Sequence, residues 1–411
     1  MTDLHDRELG AALRGLDVPE HRPGFTPELE RRLTHRRIRP RLWALAAAAA
    51  LAGIATAVAV LAFPGESNVA SAAEVRTAVS EGMGSAGSVS GVFVNREQAN
   101  NENRWRFVLD RSGSFRIEGL GPNNPTVLAY DSKSNVETWS DLGIFTRRTG
   151  LAPGAPDSAP ASWVVQRGLG AVVAALVAVP DAKVDEITYS GRPAWRLRAA
   201  TGNAGEEQLI TVDRETGIPV RDERLRDGRF AGEWRIDDLR VSSAGATARF
   251  RLQASSDQQQ TTYDMGFSRV PLAGVEAAAG YKPLVPSWVP EGYRLADVAV
   301  AASSRPTGNE QRPNPASRRV VALRYDRGLD QLVVTTRLTG SNPPRWEDPV
   351  TASSLQVRRP ESISLAGYEG RLVIDPNSVP HVWGIAGPLV VTIAGNLSGA
   401  DLRRIAASLQ R

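Results

Sequence analysis

The sequence predicts an α+β protein: a single N-terminal transmembrane helix, an antiparallel β domain covered by a helix, and a smaller α+β domain at the C-terminal end. Three observations carry this. One uncharged apolar run, Leu42 to Phe63, has no equal elsewhere in the chain. Segments of period-two hydrophobicity then dominate from Gly91 to Leu252, the mark of half-buried strands. After Ser268 the composition shifts, with all nine Phe at or before Phe267 and a Pro-, Ala- and Gly-rich stretch from Val270 to Pro290.

The apolar run contains 22 residues, which as a helix reach roughly 33 Å, enough to cross a bilayer core. It is entered through Arg31, Arg32, Arg36, Arg37, Arg39 and Arg41, with no matching cluster beyond Phe63. The positive-inside bias then puts residues 1–41 in the cytoplasm, makes 64–70 a linker, and places everything later on the extracytoplasmic side of the membrane. The competing reading is a cleaved signal peptide, because Ala70-Ser71-Ala72 has the small-residue spacing of a processing site. The run exceeds a signal h-region in length, and 41 residues precede it where a short charged stretch is usual. Half of the run is alanine, so hydropathy supports only a modest anchor.

The cytoplasmic piece reads as two short amphipathic helices. Leu9, Leu13 and Leu16 share one face; Thr26 caps a second helix, Pro27 opens it, and Leu29 and Leu33 form its apolar side. So short a piece cannot bury a core. These five leucines are candidates for contact with a cytoplasmic partner.

Beyond the linker, residues 71–268 read as one domain. A helix over Ala72 to Met83 leads into strands at Gly91–Asn95, Arg104–Asp110, Ser114–Glu118, Thr126–Asp131, Asn135–Ser140 and Gly143–Arg147. Trp105, Phe107 and Leu109 alternate with Arg106 and Val108, and Phe115 and Ile117 with Arg116 and Glu118, which gives a sheet with one apolar face. A strongly apolar helix from Trp163 to Val179, too short to span a bilayer, must bury itself on that face. A second meander follows through Lys183–Ser190, Ala194–Ala200, Gln208–Asp213, Pro219–Arg226, Arg229–Val241 and Ala248–Leu252. Asp213-Arg-Glu-Thr-Gly217 reads as a tight turn whose glycine takes positive φ.

A linker over 269–282 precedes the second domain, 283–411, with strands at Arg294–Ala302, Val320–Asp326, Gln331–Arg337, Ser354–Arg358, Gly367–Ile374, Val379–Gly384 and Leu389–Ala394. Ser398 is placed to cap a last helix with Asp401 as its capping acid, and Leu402, Ile405 and Leu409 form its apolar stripe.

Composition argues against several function classes. A net charge of +4 with 23% charged residues lacks the dense basic surface of a nucleic-acid binder. Zero cysteines exclude disulfides, a lipid-modified cysteine and a cysteine-ligated zinc. His5, His21 and His35 fall in the cytoplasmic tail, leaving His381 alone outside, and no nucleophile elbow, P-loop or dinucleotide fingerprint appears. The acid pairs Asp185/Glu186, Glu206/Glu207 and Asp237/Asp238 point to opposite faces of their strands and make no carboxylate dyad. The reading is therefore non-enzymatic, with no catalytic residue, metal or cofactor.

Two segments, Tyr189-Ser-Gly-Arg-Pro-Ala-Trp-Arg-Leu197 and Leu209-Ile-Thr-Val-Asp-Arg-Glu-Thr-Gly-Ile-Pro-Val-Arg221, together with the order helix, strands, buried helix, meander, resemble the LolA/LppX and MucB/RseB superfamily. The Pro290-Glu-Gly-Tyr293 opening and the stretch from His381-Val-Trp383 to Ile393-Ala-Gly-Asn-Leu-Ser398 resemble the second domain of RseB-related proteins. The resemblance implies an incomplete antiparallel barrel around a helical lid, with an apolar cavity that holds acyl chains in carrier members. On that model Trp105, Phe107, Phe115, Ile117, Trp195 and Leu197 line the ligand site, the alternative being a dry core. Members of that group bind an anti-sigma factor or envelope lipids; this chain departs from them by carrying its own membrane helix and tail. The expectation is a membrane-anchored sensor on the extracytoplasmic side of a bacterial cell membrane that binds a lipid or protein outside and signals to a sigma factor or other regulator through the tail. The alternative is a tethered lipid or lipoprotein carrier.

Overall fold

The computed structural model describes residues 70–98, 101–121, 126–153, 169–179, 181–201, 203–301, 319–339, 360–375 and 378–410. The Leu42–Phe63 run, the tail leucines Leu9, Leu13, Leu16, Leu29 and Leu33, and the expected strand at Ser354–Arg358 lie outside the described residues.

The first sheet is built from β1 (Ser88–Gln98), β2 (Asn101–Asp110), β3 (Phe115–Gly119), β4 (Val127–Asp131), β5 (Val136–Asp141), β6 (Ile144–Thr149), β7 (Lys183–Tyr189), β8 (Arg192–Ala200), β9 (Glu206–Asp213), β10 (Pro219–Arg226), β11 (Arg229–Ser242) and β12 (Gln259–Asp264). Their order is β12-β6-β5-β4-β3-β2-β1-β11-β10-β9-β8-β7. Two meanders thus meet where β1 pairs antiparallel with β11, and β12 adds a parallel edge to β6. Before the sheet comes helix α1 (Ala72–Ser85), opened by a capping box. Ser71 accepts from the Glu74 N–H, and the Glu74 carboxylate accepts from the Ser71 N–H. Val75, Val79 and Met83 of α1 are buried in the sheet's core together with Val173 and Leu176 of helix α2 (Ala171–Leu176).

The second sheet runs β13-β15-β16-β17-β21-β20-β19-β18, with β13 (Phe267–Arg269), β15 (Arg294–Ala301), β16 (Val320–Arg327), β17 (Asp330–Leu338), β18 (Glu361–Leu365), β19 (Tyr368–Val373), β20 (His381–Ala386) and β21 (Leu389–Gly395). Helix α3 (Val275–Ala279) seals Val275 and Ala279 against this core, inside the stretch expected to be a bare linker. Helix α4 (Gly399–Ser408) starts on the Ser398 cap and buries Leu402, Ile405 and Ala406. The two-residue strands β14 (Val285–Pro286) and β22 (Leu409–Gln410) pair behind it.

The α+β expectation is corrected: the protein is mostly β, and neither sheet closes into a barrel, since β12 and β7 remain as the two edges of the first. The reason lies in the breakers. Pro271, Gly274 and Gly280 confine helix in the Ala-rich segment to five residues; of the lid expected over Trp163–Val179, residues 163–168 lie outside the described residues, and helix runs from Ala171 to Leu176. Among the described residues no helix is long and apolar enough to cross a membrane.

Candidate binding face

Register, read strand by strand, shows which side chains share the inner face of the first sheet. Phe107 sits between Gly91 and Ile117, Ile117 opposite Leu128, and Leu128 opposite Trp139. Two residues along, Trp105 lies opposite Phe93, which in turn faces Ile236. From Trp234 a further row crosses Asp222, Ile210, Leu197 and Val184. Because alternate residues of a strand share a face, all six expected lining residues fall on the same one. Trp105, Phe107, Phe115, Ile117 and Leu197 are buried in a single cluster with α1 and α2, and half-buried Trp195 packs at its margin.

The aromatic centre of this face is Phe93, whose ring is 5.9 Å from Trp105 and 5.8 Å from Trp234. Such offset pairs add to the stabilisation from area burial alone. Beside them lies a polar group that sequence reasoning missed. Gln208 donates its amide to both oxygens of Asp222 at 3.0 and 3.1 Å, and Trp234 Nε1 donates to the same carboxylate at 3.1 Å. All three residues are buried. Burial pushes the Asp222 carboxyl up to about 6, against the opposing pull of the Gln208 hydrogen bonds and the Arg224 charge. Spending its amide N–H groups on Asp222 fixes the orientation of Gln208, and its buried carbonyl has no partner among the described residues. Trp195 Nε1 is likewise buried and unpartnered, while its ring carries Arg214 at 5.2 Å.

The signal that could have found this group is the position of Gln208 two residues before Ile210 on an inward-facing register. It was masked by the charged run Arg221-Asp-Glu-Arg224, which reads as solvated surface. At the far side, Glu137 shares the inner face with Tyr130 and is held by Arg148 at 3.2 Å.

The second sheet reaches this core through one hairpin tip. Gly328-Leu329 joins β16 to β17 with positive φ at the glycine alone, the signature of a type II′ turn. Leu329 packs against the first core and its N–H donates to Met83 O at 2.8 Å. Arg327 donates to the carbonyl and hydroxyl of Ser80 and pairs at 2.8 Å with buried Asp330, which also accepts from Asn396 at 3.0 Å. Burial raises the Asp330 carboxyl to about 6, with Asn396 and Arg327 pulling it down.

Four of the remaining ionisable residues named above have these contacts. His381 is fully buried on β20 and its Nδ1 donates to Val379 O at 2.7 Å. Glu186 pairs with Arg214, Asp237 with Arg104 and Arg235, and Glu206 with Arg226. Among the described residues no group of three or more His, Asp or Glu could hold a metal.

No family model matches the chain, and no curated protein matches it. Among solved structures it is similar in fold to MucB. It shares 16% identity with the crystal structure of MucB, covering 82% of this chain and 97% of that one at a TM-score of 0.30. With the MucA/MucB complex of Pseudomonas aeruginosa it shares 17% identity over 82% of this chain and 98% of the other, at a TM-score of 0.28. The LolA superfamily protein NE2245 from Nitrosomonas europaea covers 42% of this chain and 94% of its own, with 9% identity and a TM-score of 0.19. The chain is thus similar to structures of the LolA-like and MucB/RseB-like fold, the group its sequence motifs resemble.

Proposed function

We propose that this chain is a non-enzymatic binding and regulatory protein working on the outer side of a bacterial cell membrane. It holds an apolar or protein ligand on the inner face of its first domain and passes occupancy to a regulator, such as a sigma factor, at residues 1–41. The observation that carries the reading is the inner face itself. It carries Trp105, Phe107, Phe115, Ile117, Trp195 and Leu197, and on the same face a buried polar trio whose Gln208 carbonyl has no partner among the described residues. Ligand sites are concave, mostly apolar pockets with a few convergent polar groups, so a ligand on this face takes the place of α1 or α2, which cover it here. The clamp of Arg327 and Leu329 on α1 gives the second domain a means to sense that face. Support for the placement outside the cytoplasm comes from the sequence, namely the uncharged Leu42–Phe63 run entered through arginines.

The test is a cross-linked pull-down of the tagged full-length protein from membranes, beside a variant lacking residues 1–35. A cytoplasmic regulator recovered only with the intact tail is the expected result. Lipid or lipoprotein recovered equally from both, with no tail-dependent protein, would make the chain a carrier and overturn the regulatory reading.

A further inference from the structure

The outer face of the first sheet carries a second, different surface. The chain between β11 and β12 does not add a strand; residues 249–254 run extended across β3 to β6 without joining the ladder. Their alternation is still visible, with Phe250, Leu252 and Ala254 half-buried toward the sheet and Arg249, Arg251 and Gln253 exposed. This strap is held by a few polar contacts. Leu252 N–H donates to Thr138 Oγ1 at 3.1 Å, Arg116 to Arg249 O at 3.3 Å, and Arg251 to Asp131 at 2.7 Å. Between strap and sheet lies a half-open groove of about 1290 Å³, floored by Val127, Val136 and Phe145.

The groove's charge is one-sided. Arg116, Arg147, Arg249 and Arg251 line it against a single acid, Asp131. Arg116 is paired with Glu118, and Arg251 with Asp131. Exposed Arg147 and Arg249 have no side-chain partner among the described residues. Arg116, Ala129, Thr138 and Arg147 stand in one row across β3 to β6, so the row spans three strand spacings, roughly 14 Å. Arg249 lies at the Arg116 end through its carbonyl, which puts the two unpaired cations at opposite ends of an apolar floor.

We propose that this groove binds an extended acidic segment of a partner protein, laid beside the strap. The strap shows that the face accepts an extended chain through alternate side chains. The groove exceeds the roughly 300–1,000 Å³ of small-molecule sites, which suits a peptide better than one small ligand. In an extended chain two carboxylates four residues apart stand roughly 13 Å from each other, the reach needed to meet Arg147 and Arg249 together. The site is separate from the inner face and does not depend on what that face binds.

The test measures fluorescence polarisation with the full-length protein in detergent micelles. The probe is a fluorescein-labelled twelve-residue peptide carrying two glutamates four positions apart among alternating valines. Beside it are the same peptide with lysines for the glutamates, and palmitate as competitor. Expected are binding of the glutamate peptide that weakens as salt is raised, no binding of the lysine peptide, and a loss of about tenfold or more in the R147E/R249E double variant with its unfolding midpoint unchanged. Should the reversed variant fail to fold, R147Q/R249Q replaces it with the same expected direction. Absence of glutamate-peptide binding, equal binding of the lysine peptide, affinity indifferent to both double variants, or displacement by palmitate at matching affinity would each overturn the proposal.

Discussion

Trp234 donates its indole N–H to Asp222 across 3.1 Å, between neighbouring strands and on the apolar side of the sheet. The carboxylate it serves is buried, with its pKa raised from 3.8 to about 6. A folded-state pKa above the unfolded one means that the native protein binds more protons between those values. The stabilisation from protonation is therefore full below pH 3.8 and lost as pH rises through about 6. Asp326 and Asp330 are shifted in the same direction, also to about 6 and chiefly by burial. Urea unfolding should show stability increasing as pH is lowered from 8 toward 5, and a flat or opposite slope would show that these three carboxyls do not control the pH dependence. Asp222→Asn keeps an acceptor for Trp234 and offers an amide to the unpartnered Gln208 carbonyl once that side chain turns over. It should raise stability at pH 8 by an amount bounded at roughly 3 kcal/mol and flatten the pH slope. A large loss of stability at pH 8 would show that the charge itself is required.

Gly82 of α1 and Gly217 of the Asp213–Gly217 turn approach so closely that a Cβ on either has no room. At Gly82 it would stand 2.1 Å from Thr216 O, and at Gly217 2.2 Å from Ala78 O, where φ is also +67°. The turn is locked by Asp213, which accepts from Thr216 N–H and Oγ1 at 2.9 Å. Gly82→Ala and Gly217→Ala should each cost about 1–3 kcal/mol through overpacking, with the second the more costly because its backbone is strained as well. Thermal melts of the two variants check this, and an unchanged midpoint for both would mean that α1 stands off the turn.

How much of this was legible depended on whether one residue's periodicity reported one environment. Trp105, Phe107, Phe115 and Ile117 alternate with charged neighbours, and their strands and shared face follow directly. The Asp213-to-Gly217 turn was legible because glycine at its end has a single conformational use. Ala248–Leu252 alternates just as well, yet it forms a strap; alternation reports a chain lying on an apolar surface and is silent on whether a ladder partner exists. Asp222 was illegible for the opposite reason. An acid between Arg221 and Glu223 looks solvated, and only the pairing with Trp234 and Ile210 turns it inward.

Arg327 joins the second sheet to α1 through Ser80 while neutralising Asp330, whose carboxylate is almost fully buried. Arg327→Ala leaves Asp330 with Asn396 alone, and removing one partner of a buried pair costs about 3–5 kcal/mol. The contact is local to the last turns of α1, so hydrogen exchange there should accelerate more than in β19 and β20 of the second sheet. Uniform acceleration across both sheets would mean that the clamp contributes only to global stability.

The inner face separates side chains that build it from one that can be spared. Phe107 and Leu197 are fully buried among core neighbours, so truncation to alanine should cost about 2–5 kcal/mol and obscure any effect on binding. Trp195 is half-buried at the margin, with an unpartnered indole N–H and Arg214 stacked on its ring. Trp195→Phe preserves an aromatic surface beneath Arg214 while removing the donor and part of the ring at a half-buried margin, so its stability should stay within about 1 kcal/mol of the parent. If the face holds a ligand, this variant should release it faster while Phe107→Leu, which keeps most of the apolar volume, should not. The comparison is made by native mass spectrometry of the full-length protein after overnight dialysis. Equal retention by parent and Trp195→Phe would place the ligand away from Trp195, and the six residues would then serve as core alone.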